Sequence, residues 1–350
     1  MNPGGPGGLD KRKAYILATV VYEYIATAEP VASQTLTQKY HLGVSSATVR
    51  NELADLEAGG YLVQPHTSAG RIPSDAGYRT FVDQLMQPET LQAADRRRIR
   101  DELRDASREL DEVIESATRL LGRLSKNLAF ATKPSNDAQT FRHLQLIWLS
   151  ARTGMAIVVT SMGVTAQSLF ELAVDAGPDE LTRLSNALNS RLGNKMLRDI
   201  RESDVAAAVE ELGLAGEFKN VIMTALRSAR SGEQSTLAAS GAQNLLDQPE
   251  FQDARKLRSI LNIVEEQKTL YDLVADSMTA EAPAVKIGHE LGVDEMNDFS
   301  IVTVPYRFGE SAIGMLSVLG PRRMPYARLM ALASGTAETL SSRLSDAEIK

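Results

Sequence analysis

The sequence contains no cysteine, and this absence excludes several kinds of chemistry. Without a thiol the chain has no disulfide bond, no thiolate metal site and no cysteine nucleophile. Such a composition fits a reducing cytosol, so we expect a cytoplasmic protein. The first ten residues, MNPGGPGGLD, have neither the basic nor the apolar region of a signal peptide, and they predict a disordered leader. No run approaches the roughly 18 apolar residues that a membrane-spanning helix requires, so no membrane partner is expected.

Motifs for catalysis and metal binding are also missing. None of the four histidines stands in the spacing of a zinc site. No phosphate-binding loop, GxSxG turn or dinucleotide-binding GxGxxG pattern is present. We therefore expect no enzyme activity, no cofactor and no bound metal. The composition, with 43% hydrophobic and 24% charged residues, is that of a soluble globular protein, and 350 residues suffice for two or three domains.

Acidic residues are absent from two windows near the N-terminus, although the net charge of the whole chain is −7. The windows cover residues 30–51 and 58–74. They hold five lysine, arginine or histidine side chains: Lys39, His41, Arg50, His66 and Arg71. Because the potential of a charge extends about 8–10 Å at physiological salt, an acid-free surface can attract phosphates on an acidic protein. The two windows therefore predict a surface for nucleic acid.

Residues 11–87 show the element order of a winged helix-turn-helix, which is three helices followed by a β-hairpin. Apolar residues at helical spacing predict the first helix, and a short second helix begins at Ser33. Ser45 is a good N-cap for the third helix, which we expect to end at Gly59 and Gly60. Two short strands, in YLVQP and GRIP, enclose the polar loop HTSA and predict the wing.

The third helix carries the side chains that a recognition helix uses. Arg can bridge two acceptors of guanine, Asn can pair with adenine, and Ser or Thr can bind bases or phosphates. The candidate residues of the recognition helix are Ser45, Ser46, Thr48, Arg50 and Asn51. The candidate residues of the wing, which would reach the DNA backbone or the minor groove, are His66, Thr67, Ser68 and Arg71. The alternative is an ordinary capped helix and an ordinary turn, because short patterns of this kind recur in other proteins.

Residues 88–130 predict a long linker helix with a heptad seam. Apolar residues recur at alternating spacings of four and three; they are Ile99, Leu103, Ala106, Leu110, Val113, Ala117, Leu120 and Leu124. This seam fits either a helix that pairs with a second protomer or a helix that lies on its own domain. The range holds nine basic and nine acidic residues, which favours a salt-bridged surface for RRRIR at 96–100 over a phosphate-binding patch.

In the rest of the chain the predicted secondary structure changes from strands to helices and back to strands. Patterns typical of strands over 141–173 are followed by helical patterns over 178–240 and by strands again over 299–321, before a last helix. This order predicts one α+β domain that is interrupted by a helical insertion.

Three long segments resemble the family of the heat-inducible transcription repressor HrcA. They are SSATVRNELADLEAGGYLVQPHTSAGRIPSDAGYRTFVD (45–83), NLLDQPEFQDARKLRSIL (244–261), and KIGHEL with DFSIVTVPYRFGESAIGMLSVLGPRRMPYARL (286–329). The resemblance implies an α+β multidomain protein with an N-terminal winged helix-turn-helix and a GAF-like α/β domain that carries an inserted helical dimerisation domain. It also implies a homodimer that represses chaperonin and DnaK-type chaperone operons by binding double-stranded DNA at the inverted-repeat CIRCE operator. Heat would inactivate the repressor when the chaperonin GroEL no longer assists its folding.

The resemblance also suggests domain boundaries. The predicted parts are a disordered leader (1–10), the winged helix (11–87), the linker helix (88–130), the GAF-like domain (131–175 and 241–350) and the inserted, mainly helical dimerisation domain (176–240). The DNA-contacting residues that the family implies are the candidate residues given above for the third helix and the wing. The alternative function is a ligand-sensing regulator whose GAF-like domain binds a small molecule, although the strands of that domain supply no converging polar groups.

Overall fold

The N-terminal unit of the computed structural model is a winged helix-turn-helix, as expected. The structure describes residues 9–67, 69–106, 110–133, 139–161, 163–231, 237–251, 253, 267–277, 282–308 and 312–348. The elements of the N-terminal unit are α1 (Lys11–Thr27), α2 (Ser33–Lys39), α3 (Ser46–Ala58), β1 (Leu62–Val63), β2 (Ile72–Pro73) and α4 (Asp75–Thr80), which continues as a π-helical turn over Phe81–Leu85. Most of the predicted leader lies outside the described residues, but Leu9 is buried and Asp10 caps α1.

Local signals fix the ends of these elements. The side chains of Ser45 and Ser74 accept hydrogen bonds from the backbone N–H groups of Thr48 (3.2 Å) and Gly77 (3.1 Å), which caps α3 and α4. A backbone bridge joins Val31 to Arg71 and adds a third short segment to the wing hairpin. Gly70 permits this close approach, because a Cβ at that position would lie 2.5 Å from the backbone of Val31.

The expected linker helix is wrong as a single helix. The structure has α5 (Ala93–Asp105) and α6 (Leu110–Ser125), and Ala106 is extended, with ψ 152°. Residues 107–109 lie outside the described residues. Five seam residues are buried within their own chain: Ile99, Leu103, Val113, Ala117 and Leu120. Of the two alternatives, the seam therefore lies on its own domain and is not available to a second protomer.

The salt-bridged surface expected at residues 96–100 is also not observed. Within the described part of the chain, none of the four arginines in this range forms an ion pair. Two acids of α5 pair elsewhere, since Asp95 lies 3.7 Å from Arg328 and Glu102 pairs with Arg123 of α6. The balanced composition of 88–130 therefore produces pairs elsewhere in the range, such as Arg119 with Glu115 at 3.7 Å, but none at residues 96–100 among the described residues.

The GAF-like domain is built on a five-stranded antiparallel sheet. Its strands are β3 (Leu128–Ala131), β7 (Ala238–Ser240), β8 (Ala284–Ile287), β9 (Phe299–Phe308) and β10 (Ala312–Pro321), in the order β7-β3-β10-β9-β8. The C-terminal helix α12 (Tyr326–Glu348) packs on this sheet together with α6 and α5. The shorter helices α10 (Ala242–Leu246) and α11 (Gln267–Ala275) contribute to a second apolar cluster with Phe251 and Phe299. The α+β fold class is confirmed.

The inserted unit is larger than expected and contains strands. Its elements are β4 (Phe141–Trp148), β5 (Thr153–Thr160), β6 (Gly163–Glu171), α7 (Pro178–Leu192), α8 (Glu202–Glu211) and α9 (Glu217–Ser231). The strands form a separate antiparallel sheet, β4-β5-β6, that encloses its own apolar core with α7 and α9. The expectation that residues 141–173 belong to the GAF-like sheet is therefore wrong. In that sheet β3 pairs directly with β7, through Ala129 and Ser240, and the chain between them forms the insertion.

Candidate nucleic-acid interface

Helix α3 exposes one stripe of its surface. Its buried side consists of Val49, Leu53 and Leu56, and the exposed stripe consists of Ala47, Arg50, Asn51, Ala54 and Ala58. Asp55 is also exposed, at the edge of this stripe, and pairs with Lys13 of α1 at 2.8 Å. Arg50 and Asn51 are the long polar side chains of this stripe, and neither forms a hydrogen bond or an ion pair with any other described residue. The alanines leave room for a base edge beside them, and an alanine methyl can contact the methyl group of thymine. The sequence analysis missed these alanines, although their helical spacing around Arg50 was visible.

The hydroxyl groups at the start of α3 have structural partners. The Ser45 hydroxyl lies 3.0 Å from that of Thr48, in addition to capping the helix. The Ser46 hydroxyl lies 3.1 Å from the hydroxyl of Ser33, the first residue of α2. This second contact joins the two helices of the helix-turn-helix at their N-terminal ends. Ser46 therefore helps to set the angle at which α3 is presented.

The wing is organised by a residue that the sequence analysis did not single out. The side-chain amide of Gln64 donates hydrogen bonds to the backbone carbonyls of Thr67 (3.0 Å) and Ala69 (2.9 Å). The N–H of Ala69 also donates to the carbonyl of His66, at 2.8 Å. These bonds close the turn and leave the side chains of His66 and Thr67 exposed. The candidate Ser68 lies outside the described residues. The available signal was a glutamine in the predicted strand YLVQP, two residues before the loop HTSA.

The structure places Arg71 at the base of the wing and against an acid. Its Nε lies 2.8 Å from a carboxylate oxygen of Glu57, and 18% of its side chain is exposed. The guanidinium therefore ties the wing to the C-terminal end of α3. In the absence of DNA, the Glu57 carboxylate therefore neutralises most of the charge of Arg71.

The acid-free windows of the sequence are not acid-free in space. Besides Arg71, the side chain of Lys39 is paired, with Glu23 of α1. The hydrogen bond from Lys39, with a second from Tyr40 at 2.9 Å, outweighs burial and lowers the pKa of the Glu23 carboxyl. Acids distant in sequence thus reach two of the five lysine, arginine or histidine side chains in the windows. Arg50 and the exposed histidines remain as the positive or titratable part of the surface.

Comparison with known proteins assigns the family. The model of the HrcA protein C-terminal domain matches residues 111–330. The chain belongs to the HrcA family. The heat-inducible transcription repressor HrcA of Pelotomaculum thermopropionicum is 36% identical over 96% of this chain and 97% of that protein. The HrcA of Symbiobacterium thermophilum is 34% identical over 95% of this chain and 98% of that protein.

A solved structure shows the same fold as this HrcA-family chain. The crystal structure of a hypothetical protein at 2.2 Å resolution superposes with a TM-score of 0.59 and 24% identity, and covers 97% of this chain and 99% of that one. The family model and the two HrcA relatives confirm the resemblance found in the sequence. The HrcA relatives are named as transcription repressors, which is not an enzymatic role, in agreement with the expectation for this chain. No helix in the described ranges is both long and apolar enough to span a membrane.

In this HrcA-family chain the winged helix is held on the GAF-like domain by charged side chains. The carboxylate of Asp75, at the start of α4, accepts hydrogen bonds from Nδ1 of His289 and from Arg322, each at 2.7 Å. Burial opposes ionisation of this carboxyl, but the hydrogen bonds from His289 and Arg322 outweigh it and lower the pKa of Asp75. Gly288, at φ +54°, allows the approach, since a Cβ there would lie 2.3 Å from an Asp75 oxygen.

A second contact on the same side strengthens this junction. Arg79 of α4 donates from Nε to Glu290 at 2.9 Å and from a terminal nitrogen to the carbonyl of Val285 at 2.7 Å. The ring of Tyr78 packs edge-on to that of Tyr326, with centroids 6.0 Å apart, and both rings are buried. The position of α3 is therefore fixed relative to the sheet of the GAF-like domain.

Proposed function

We propose that this protein is a cytoplasmic transcription repressor of heat-shock chaperone operons, chaperonin and DnaK-type, that binds the CIRCE inverted repeat as a homodimer. The observation that carries the proposal is the exposed stripe of α3, in which Arg50 and Asn51 lie between alanines and form no hydrogen bond or ion pair with other described residues. The names of the HrcA relatives, heat-inducible transcription repressors, support the same function.

Each candidate residue has a proposed role in this interface. Arg50 and Asn51 read base edges in the major groove, where the alanines beside them permit close approach. The hydroxyls of Ser45, Ser46 and Thr48, at the N-terminus of the helix, bind phosphate. The wing residues that contact the DNA backbone or the minor groove are His66, Thr67 and Ser68. Arg71 acts chiefly by holding the wing to Glu57, with which it is paired.

An inverted-repeat operator requires a two-fold symmetric protein, and the inserted unit offers the surface. Ile147, Met155 and Leu169 form one row across its three strands, because Met155 is paired with both of the others. Leu169 is 68% exposed and Ile147 is 37% exposed, on the sheet face opposite α7 and α9. Since the heptad seam is buried, we propose that a second copy covers this row.

The dimer is tested by the mass of the protein in solution. Leu169→Glu places a charge in the centre of the row and is expected to shift the protein from dimer to monomer, measured by sedimentation velocity. Leu246→Glu is the matched control, because Leu246 is an exposed leucine, at 39%, outside the inserted unit. Equal dissociation by both variants, or by neither, would refute this surface.

Operator binding is tested by footprinting the promoter regions of the source genome's chaperone operons. The expected result is protection of two symmetric half-sites. Their centres should lie a whole number of helical turns apart, so that both half-sites are on the same face of the duplex. No protection above that of unrelated DNA would refute the proposed function.

Heat inactivation through loss of GroEL-assisted folding is the remaining part of the proposal. The inserted unit supports it, because this unit has an apolar core of its own and joins the rest of the chain through two crossings. Domains are stable by only about 5–15 kcal/mol, so such a unit can unfold near the growth temperature. Purified protein that kept full operator affinity after a heat pulse without chaperonin would contradict this part.

A further inference from the structure

A cleft lies between α5, α12 and the segment that follows the winged helix. Its volume is about 830 Å³, and its lining includes Glu89, Thr90 and Leu91 of that segment. Volumes of this size are typical of sites for small molecules. Gly335 of α12 shapes the floor, because a Cβ there would lie 2.4 Å from the side chain of Leu91. The cleft is thus built where the linker meets the C-terminal helix.

Four arginines line this cleft. Arg96, Arg100 and Arg104 follow one another at four-residue spacing on α5, and Arg343 faces them from α12. Arg96, Arg100 and Arg343 form no hydrogen bond or ion pair with any residue in the described ranges. Like charges at this spacing destabilise a helix, so the arrangement does not serve the stability of α5.

The side chain of Arg343 is a second, independent observation that points to a ligand. Its Nε is buried and has no hydrogen-bond partner. A buried donor without an acceptor is rare and costs free energy, and a charged donor costs more. An anion in the cleft would supply the acceptor.

The charge and length of the lining define the class of ligand. Glu89 and Glu338 also line the cleft, so four arginines and two glutamates give the lining a formal net charge of two positive. Arg96 and Arg100 lie about 6 Å apart along α5, and Arg343 lines the cleft from α12, so three guanidinium groups are available, more than a single small anion engages. Guanidinium groups bind phosphate oxygens in pairs of parallel hydrogen bonds. We propose that this cleft binds a small polyanion with several linked phosphate groups, such as a polyphosphate chain or the phosphates of a nucleotide.

The ligand would touch the linker, since residues 89–91 are part of the lining. Binding there ties the segment after the winged helix to α12. The inference does not depend on the proposed function, because it concerns arginines outside the winged helix and its test needs no DNA.

The test is titration calorimetry of the full-length protein with inorganic tripolyphosphate and with ATP, at fixed ionic strength. Saturable binding of tripolyphosphate is expected. Tighter binding of ATP than of tripolyphosphate would identify the ligand as a nucleotide, and tighter binding of tripolyphosphate would identify it as a bare phosphate chain. The double variant Arg96→Gln/Arg100→Gln should weaken the tighter ligand at least tenfold. Arg343→Gln, on the other helix, should weaken it as well.

The matched control is Arg97→Gln/Arg98→Gln, which removes the same charge from exposed positions of α5 that do not line the cleft. It should change the affinity less than twofold. Equal weakening by both double variants would show binding to surface charge in general and would overturn the proposal. The absence of saturable binding of tripolyphosphate would also overturn it.

Discussion

Replacement of Arg50 by alanine isolates the contribution of base recognition from that of folding. Arg50 is exposed and forms no hydrogen bond or ion pair with other described residues, so its removal breaks no internal contact. Surface substitutions of this kind change the free energy of unfolding by about 0.5 kcal/mol or less. The melting temperature of the variant should therefore match that of the native protein.

The effect on operator binding should be much larger. A side chain that makes two hydrogen bonds to one base contributes about 1–3 kcal/mol of discrimination. This corresponds to about a 5- to 150-fold increase in the dissociation constant for each half-site. Non-specific affinity should fall less, because it loses one charge and no base contact. The ratio of specific to non-specific affinity should therefore decrease.

Fluorescence anisotropy with an operator duplex and a scrambled duplex, at several salt concentrations, measures this ratio. Arg97→Ala is the control, since Arg97 is another exposed arginine that forms no ion pair with the described residues, but it lies on α5. It should leave the ratio unchanged. If Arg50→Ala lowered both affinities by the same factor, α3 would not be reading bases through this side chain.

Three further variants test the wing and the domain junction. Gln64→Ala opens the turn that its amide holds, and should weaken binding to all DNA sequences alike, measured in the same anisotropy assay. Arg71→Ala removes an internal ion pair and should lower the melting temperature, with a smaller change in salt slope than the unit expected for a free phosphate contact. Asp75→Asn should lower the free energy of unfolding by about 2 kcal/mol in urea, against less than about 1 kcal/mol for Glu102→Gln in an exposed ion pair. Because the pKa of Asp75 is lowered in the folded state, its contribution to stability is present at neutral pH and is lost as the pH falls below about 4. The free energies of unfolding of the native protein and of Asp75→Asn should therefore converge at low pH.

The winged helix could be predicted from the sequence because its signals are local. Ser45 and Ser74 cap helices as expected, and α3 ends next to Gly59. The alternation of buried and exposed positions in α3 follows from helical spacing, so Arg50 and Asn51 were correctly predicted to face outward. Such features depend on a few neighbouring residues and do not require knowledge of distant contacts.

Features that depend on distant contacts could not be predicted in this way. The strands within 141–171 were recognised as strands, but their residues do not specify which sheet they join. Charge windows failed for the same reason, because Glu23 and Glu57 lie outside the windows in sequence and beside Lys39 and Arg71 in space. The heptad pattern correctly identified buried positions, but it carried no information on whether the partner belonged to the same chain.

The division of the apolar core bears on how heat would act. The winged helix shares one continuous cluster with α5, α6 and α12, whereas the inserted unit has a cluster of its own. Unfolding the winged helix alone would expose that shared cluster, but the inserted unit can unfold and leave it intact. If the row around Leu169 holds the dimer together, heating therefore separates the two recognition helices before it melts either one. Heated protein should then lose the operator while it keeps its affinity for unrelated DNA, since one winged helix suffices for phosphate contacts but not for an inverted repeat.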